Sequence, residues 1–323
     1  MPKVSVIIPN YNHARFLSQR ILSILNQTYQ DFEIIYLDDA STDNSNEVFA
    51  RFADAPQVSA TICNSVNSGS PFKQWHKGIQ QATGEYVWIA ESDDYAAPNF
   101  LETLVPLLDR SPQVGLAYGQ SYQVDEQNRP FATMHWWTDD LSNDRWRKDF
   151  VNRGIDECSN FLLFKNTIPN ASGVLIRRSA LEQIPIGDTA LSLCGDWLTW
   201  IRLLLHWDIA FSHQLLNYFR HHTTSVRKKT SEAVFLRERM HIFAFVNQQL
   251  SLSPTVSERA KETLIRDWLH LMFRTPETID FSLGWSLYQA ARACDPLVEG
   301  RVLKQISRSA MRRLAQKLQL SGA

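Results

Sequence analysis

The 323-residue sequence predicts an α/β fold: a mostly parallel sheet flanked by helices, followed by a helical C-terminal extension. Three observations carry this expectation. Short apolar runs of high β propensity, such as Val4 to Ile8 and Tyr86 to Ala90, read as strands buried on both faces. Between them apolar residues recur at helical spacing, so strand and helix alternate. The strands also end abruptly in acidic or turn-forming residues, and open α/β sheets bind ligands beyond the carboxyl ends of their strands.

Each element follows from its local pattern. Val4 to Ile8 is a first strand, closed by the turn Pro9-Asn10-Tyr11-Asn12. From Arg15 the period changes, and Leu17, Ile21, Ile24 and Leu25 mark an amphipathic helix. Glu33 to Leu37 is a second strand ending in Asp38-Asp39, which completes a β-α-β unit with a right-handed crossover. Ser41-Thr42-Asp43 can cap a helix over Asn44 to Phe52, because side-chain oxygens accept from the unpaired N–H groups there. Val58 to Cys63 is a third strand, Asn67 to Pro71 a loop, and Phe72 to Gln81 helical. The strand Tyr86 to Ala90 follows, tipped by Glu91, Asp93 and Asp94.

Pro98 is expected to open a helix at its first position, with Leu101, Leu104, Val105 and Leu108 facing inward. After a strand over Val114 to Tyr118 the regularity fails at Gly119, and residues 120 to 170 read as a long excursion over the active face. Asn170 to Gly173 turns into the strand Val174 to Ile176. Gly195-Asp196-Trp197 opens an apolar helix reaching His206, and a strand near Ile209 to Leu216 leads to the polar segment Tyr218 to Ser225. Helical periodicity then holds over Val234 to Leu250, Ala260 to Phe273 and Leu283 to Ala293, which suggests one domain over residues 1–227 and a helical region over 228–323.

Composition excludes several classes of function. Hydrophobic residues make up 44% and charged residues 21%, ordinary for a globular chain with a full core. A net charge of −1 gives no global pull towards nucleic acid, and no such partner is expected. Cys63, Cys158, Cys194 and Cys294 lack C-x-x-C spacing, which argues against structural zinc and for a reducing, cytosolic setting. The amino terminus enters a strand at once, without the pattern of a signal peptide. No apolar stretch reaches the roughly 18 residues that cross a bilayer. A cytoplasmic protein is expected, working from the inner membrane surface if it meets a membrane. Arg301 to Leu320 offers the means: Val302, Ile306, Ala310, Leu314 and Leu318 form one stripe amid arginines and lysines with no acid. A basic helix packed on its own domain has the same profile.

The chemistry gathers at the strand tips. Carboxylates as close as Glu91, Asp93 and Asp94 repel unless a cation sits among them, and their oxygens suit Mg²⁺ or Mn²⁺ holding a phosphate. A solvated acidic turn is the plainer alternative. Neither G-x-G-x-x-G nor the P-loop pattern occurs.

Three stretches in order, V-S-V-I-I-P-N-Y-N, I-L-N-Q-T-Y-Q-D-F-E-I-I-Y-L-D-D-A-S-T-D and A-T-G-E-Y-V-W-I-A-E-S-D-D, resemble the signatures of the family 2 glycosyltransferases, enzymes of the Rossmann-like GT-A fold. The resemblance is strong over about residues 3 to 120, weaker to about 225, and absent beyond. It implies an inverting transfer from a nucleotide diphosphate sugar, with UDP the expected nucleotide, to a glycan or lipid-linked glycan acceptor in bacterial surface polysaccharide synthesis. Residues 1–120 would then bind the donor and 121–227 the acceptor.

By the same resemblance Pro9, Tyr11 and Asn12 border the nucleotide, with the Tyr11 ring on the base and Asp39 accepting from a base N–H. Lys77 lies near the diphosphate. Asp93 reaches the ribose or the metal, Asp94 binds the ion, and Glu91 stands where aspartate is commoner, so direct contact with the ion is open. One of His221 and His222, with His222 preferred, completes the coordination or donates to phosphate. Asp196, in Cys194-Gly195-Asp196-Trp197, resembles the base that deprotonates the acceptor; an ordinary helix cap fits the position too. Trp136, Trp137, Ser172 and Gly173 would line the acceptor cleft, since aromatic faces suit sugar rings. Two competing readings are a nucleotidyltransferase, which would require a Gly-rich basic loop after the first strand, and a non-catalytic sugar-nucleotide or glycan-binding protein that kept the fold.

Overall fold

The computed structural model describes residues 1–188, 191–223, 231–274 and 281–307. The chain divides into two compact units, Met1–Ser225 and Val226–Ala323.

In the first unit strands and helices alternate: β1 Val4–Asn10, α1 Ala14–Leu25, β2 Phe32–Asp38, α2 Ser45–Ala50, β3 Val58–Cys63, α3 Pro71–Gln81, β4 Tyr86–Ile89, β5 Tyr95–Ala96 and α4 Phe100–Asp109. The second half holds β6 Val114–Val124, β7 Pro130–Thr133, α5 His135–Thr138, β8 Phe150–Asn152, α6 Gly154–Glu157, β9 Val174–Arg177, α7 Arg178–Leu181, α8 Gly195–Leu204 and β10 Asp208–Arg220. The strands form one sheet in the order β3-β2-β1-β4-β9-β6-β10-β5, with β7 beside β6 and β8 beside β10. Strands β3, β2, β1 and β4 run parallel. β9 enters antiparallel between β4 and β6, and β10 runs parallel to β6.

The continuous apolar runs are buried along their whole length in β1, β2 and β4. Leu17, Ile21 and Ile24 of α1 pack with Leu101, Leu104 and Leu108 of α4 on the same core as Val6, Ile34 and Trp88 of the sheet. One member of the α1 stripe is not apolar: Arg20 is buried among these residues.

Several expectations need correction. β6 does not stop at Tyr118 but continues to Val124, although Gly119 to Gln123 looks polar. Its Gln120, Ser121 and Gln123 are buried, and Ser121 Oγ meets the side-chain amides of Asn170 and Asn217. A ladder buried by hydrogen bonds between side chains leaves no apolar period to read. Residues 120 to 170 therefore carry β7, β8 and short helices rather than one irregular excursion. Pro98 stands before the Asn99 cap of α4, not inside its first turn. Asp43 caps more than its own helix: its Oδ1 accepts from Ser45 N at 3.0 Å, and its Oδ2 accepts from Ala14 N at 3.0 Å, at the start of α1.

The second unit contains helices over Glu232–Gln249, Pro254–Arg274 and Phe281–Cys294. Ser231 caps the first by accepting from Val234 N. Leu236, Met240, Phe243, Leu287 and Ala291 are buried. Of the basic segment from Arg301 to Leu320, residues 301–307 are helical and residues 308–320 lie outside the described part. Arg301 is held by the carboxylates of Glu258 and Asp295, while Leu303 and Ile306 are exposed. Among the described residues no helix is long and apolar enough to cross a membrane.

Candidate active site

The carboxyl ends of β1, β2 and β4 lie side by side. Asn10 pairs with Asp38 across β1 and β2, and Ile7 with Ile89 across β1 and β4. Asn10 Nδ2 donates to Asp38 Oδ1 at 2.9 Å, fastening the first two tips together. Beyond them the backbone enters left-handed conformations at Asn12 (φ 57°) and Ala40 (φ 60°), of which the alanine costs about 1–2 kcal/mol. Strain of that kind is tolerated where surrounding bonds fix it. Here the bonds come from Asn12, whose N–H donates to Ser41 Oγ and whose Oδ1 accepts from Thr42 N at 2.7 Å.

On this platform Tyr11 is 45% exposed, open for a ring to stack on it. Pro9 is buried within β1 opposite Leu37. Asp39 is buried and well supplied with donors: Oδ1 accepts from Asn64 Nδ2, Ser68 N and Gln74 Nε2, and Oδ2 from Ser68 Oγ at 2.8 Å. Oδ2 takes one of these four bonds and so keeps acceptor capacity unused by them. Lys77 Nζ donates to Asn64 Oδ1 at 2.5 Å, so it reaches Asp39 only through that asparagine.

The tip after β4 gathers the titratable groups Glu91, Asp93 and Asp94 with two histidines. His222 Nε2 lies 2.9 Å from Asp93 Oδ2, and His13 Nδ1 lies 2.9 Å from Ser92 Oγ. His13, Asp93 and His222 each bring one ligand atom within 4.8 Å of the others. Two imidazole nitrogens and a carboxylate oxygen fit a divalent transition ion such as Mn²⁺. Glu91 and Asp94 are not part of that group. Glu91 Oε1 accepts from Trp75 Nε1 at 2.7 Å, and Asp94 Oδ1 accepts from Arg220 N at 2.8 Å. Between the neighbouring histidines, His222 faces Asp93 while His221 packs against Phe131 and Phe219.

Burial and the Asp93 charge push Glu91 up to about 8. The same two causes raise Asp94 above the usual carboxylate range. Burial acts upward on Asp93 as well, but the His222 hydrogen bond and the nearby His13 hold it below that range. Burial lowers His13, with Asp93 opposing.

Asp196 occupies the first turn of α8, where Asn166 Nδ2 donates to its Oδ2 at 3.4 Å. Asn166 also accepts from Trp137 Nε1 through its carbonyl at 2.7 Å, so Asp196 and the Trp136–Trp137 pair are neighbours through one residue. Trp136 is 54% exposed. The helix is seated on α3: a Cβ on Gly195 would lie 2.4 Å from the Phe72 ring, and Trp200 stacks near Trp75, the donor to Glu91. Ser172 and Gly173 are buried in the turn just before β9, where Ser172 O accepts from Trp88 Nε1 and Gly173 N donates to Asn170 Oδ1.

Sequence reasoning passed over His13, Arg20, Trp75 and Asn166. Only Arg20 left a signal, a cation on an apolar helix stripe three residues from Leu17.

A family model described as glycosyl transferase family 2 matches residues 5–184, over half the chain. An uncharacterised glycosyltransferase of Nostoc sp. is 31% identical over 195 residues, which is 60% of this chain and 57% of that protein. The poly(ribitol-phosphate) β-N-acetylglucosaminyltransferase TarS of Staphylococcus aureus is 30% identical over 111 residues, 34% of this chain and 19% of that protein. The chain thus spans about half or less of the curated relatives it matches. Among solved structures, TarS 1–349 in complex with UDP-GlcNAc superposes with a TM-score of 0.67 at 16% identity, covering 92% of this chain and 83% of that one. A mannosyltransferase from Pyrobaculum calidifontis, in complex with GDP-Man and Mn²⁺, gives 0.58 at 18% identity over 97% and 81%. These likenesses carry the fold.

Proposed function

Because the chain belongs to glycosyl transferase family 2, we propose that it is an inverting, metal-dependent enzyme passing a sugar from a UDP-sugar to a glycan or lipid-linked glycan of a bacterial surface polymer. The observation that carries the proposal is the junction of three strand tips: an exposed ring at Tyr11, a fixed acceptor at Asp39 and the His13–Asp93–His222 group stand at adjacent strand ends. That arrangement suits a base between Tyr11 and Asp39 and a diphosphate at the His13–Asp93–His222 group. Support for a UDP donor and a polymer acceptor comes from TarS, a poly(ribitol-phosphate) β-N-acetylglucosaminyltransferase solved with UDP-GlcNAc.

Residues 1–120 hold the donor in this reading, and residues 121–227 the acceptor. Tyr11 stacks on the base, and Asp39 Oδ2 accepts its imino proton. Pro9 and Asn12 shape that pocket from behind, while Lys77 buttresses it through Asn64. Asp93, His222 and His13 would hold a divalent ion, with the carboxyl groups of Asp94 and Glu91 behind them; when bound, the ion would offset charge on the leaving diphosphate. Asp196 takes the proton from the acceptor hydroxyl as it attacks the anomeric carbon opposite the leaving group. Trp136 gives the acceptor sugar a face to lie on, and Trp137 sets Asn166 against the base. The enzyme works at the cytoplasmic face of a membrane, which residues 301–320 touch.

Full-length protein is tested by thermal shift against nucleoside diphosphates with and without Mn²⁺. At ligand about a hundredfold above Kd, UDP with Mn²⁺ should add near 2.7 kcal/mol, while UDP alone adds little. Asp93→Ala should lose the response. Asp196→Ala should keep it but lose UDP-sugar turnover, which separates an enzyme from a binding protein. Silence towards every nucleotide would remove the catalytic reading.

A further inference from the structure

Arg20 is an arginine with no exposed surface on the apolar stripe of α1. Its Nε donates to the carbonyl of Glu91 at 2.8 Å, and its guanidinium carbon lies 5.4 Å from the Trp88 ring centre. Both terminal nitrogens are buried, with no hydrogen-bond partner among the described residues. A guanidinium carries five donors, so leaving most of them unmade in the core is costly. What the position provides is charge: Asp94, Asp93 and Glu91 are all within its electrostatic reach. Burial pulls it down to about 10, which still leaves it charged at neutral pH. A second buried arginine reaches the same tip, with Arg220 Nε donating to the carbonyl of Asp93 at 2.6 Å. Three carboxylates thus face two fixed cations, leaving little net negative charge to attract an ion arriving alone.

We propose that Arg20 is a built-in counter-cation of the acid tip, which keeps the His13–Asp93–His222 pocket a weak site for a divalent ion until a nucleoside diphosphate brings further negative charge. The inference rests on the donor reading above and adds an order to it: ion and nucleotide bind as a pair. A cation held in the interior repels an incoming divalent ion more strongly than one in water, because the medium between them screens poorly. Removing that cation should therefore tighten ion binding, whereas a residue that merely props the site would loosen it when lost.

The measurement is a Mn²⁺ titration of the full chain at one pH, with the free ion followed by its electron paramagnetic resonance signal, with and without UDP. Wild type should bind Mn²⁺ alone at least about tenfold more weakly than with UDP, and Arg20→Met should bind Mn²⁺ alone at least about tenfold more tightly than wild type. Arg20→Lys, which keeps the charge, should follow wild type. A folded Arg20→Met with unchanged or weaker Mn²⁺ affinity overturns the proposal. So does an Arg20→Lys that tracks Arg20→Met. If Arg20→Met does not fold, the wild-type pair of titrations decides: equal affinity with and without UDP overturns the proposal while leaving the donor reading intact. A chain whose ion affinity and stability ignore UDP overturns both.

Discussion

Glu33 shows how a single side chain can be separated from the site and still be tested. It lies on β2, 8% exposed, and its Oε1 accepts from Ser5 Oγ at 2.6 Å, Thr83 N at 2.9 Å and Thr83 Oγ1 at 2.7 Å. Burial would raise its carboxyl, but these donors outweigh burial and hold it below the usual value of 4.5. A depressed carboxylate contributes stability that is present above the unfolded pKa and is lost as pH falls through the folded one. Glu33→Gln should therefore cost about 1–3 kcal/mol at pH 7, measured by denaturant unfolding, and the gap from wild type should narrow below about pH 4. A gap that widens in acid would contradict the assignment. UDP with Mn²⁺ should stabilise the variant as it does wild type, since Glu33 pairs with Ser5, far down β1 from Asn10. At this scale the sequence was least legible. Asp93 and His222 were visible through their company, but His13 became a partner only once α1 set it beside the tip of β4, 79 residues away from Ser92. No local pattern encodes a contact of that separation.

Elements were easier to read where burial is two-sided. β1, β2 and β4 announce themselves as apolar runs because every residue in them is enclosed, and a run of that kind has few other homes. β6 beyond Gly119 hides because its polar side chains are satisfied by other polar side chains and the period vanishes, and β7 and β8 hide because four and three residues are too few to show one. The same elements decide where the proposed base stands. α8 approaches α3 closely at position 195, where a would-be Cβ lies 2.4 Å from the Phe72 ring, so that either the ring or the helix turn must shift to admit one. Gly195→Ala should push the first turn of α8 outward and carry Asp196 with it. Misplacement of a reacting group by about an ångström costs up to roughly a hundredfold, so UDP-sugar turnover should fall about ten- to hundredfold while the UDP–Mn²⁺ thermal shift persists. Phe72→Ala in the same chain should recover much of the loss, because the two side chains share one space. An unaltered turnover in Gly195→Ala would mean that the Phe72 ring gives way and Asp196 keeps its place.

For the whole molecule the question is what each unit contributes. Every residue proposed to meet donor, ion or acceptor lies in Met1–Ser225, which has its own sheet and core. A chain ending at residue 230 should therefore fold and keep the full response to UDP with Mn²⁺. The second unit has a different chemistry on offer. Arg301 is engaged by Glu258 and Asp295, so the basic charge left for a membrane begins at Lys304 and continues through Arg308, Arg312, Arg313 and Lys317. Each lysine or arginine near an anionic surface contributes about 1 kcal/mol, and salt screens the sum. Full-length protein should sediment with vesicles containing anionic lipid at low salt, release as salt rises, and ignore neutral vesicles. The shortened chain should stay in solution in every case. Binding by the shortened chain would move the membrane contact to the first unit, and binding by neither would leave the basic segment as a surface of its own domain.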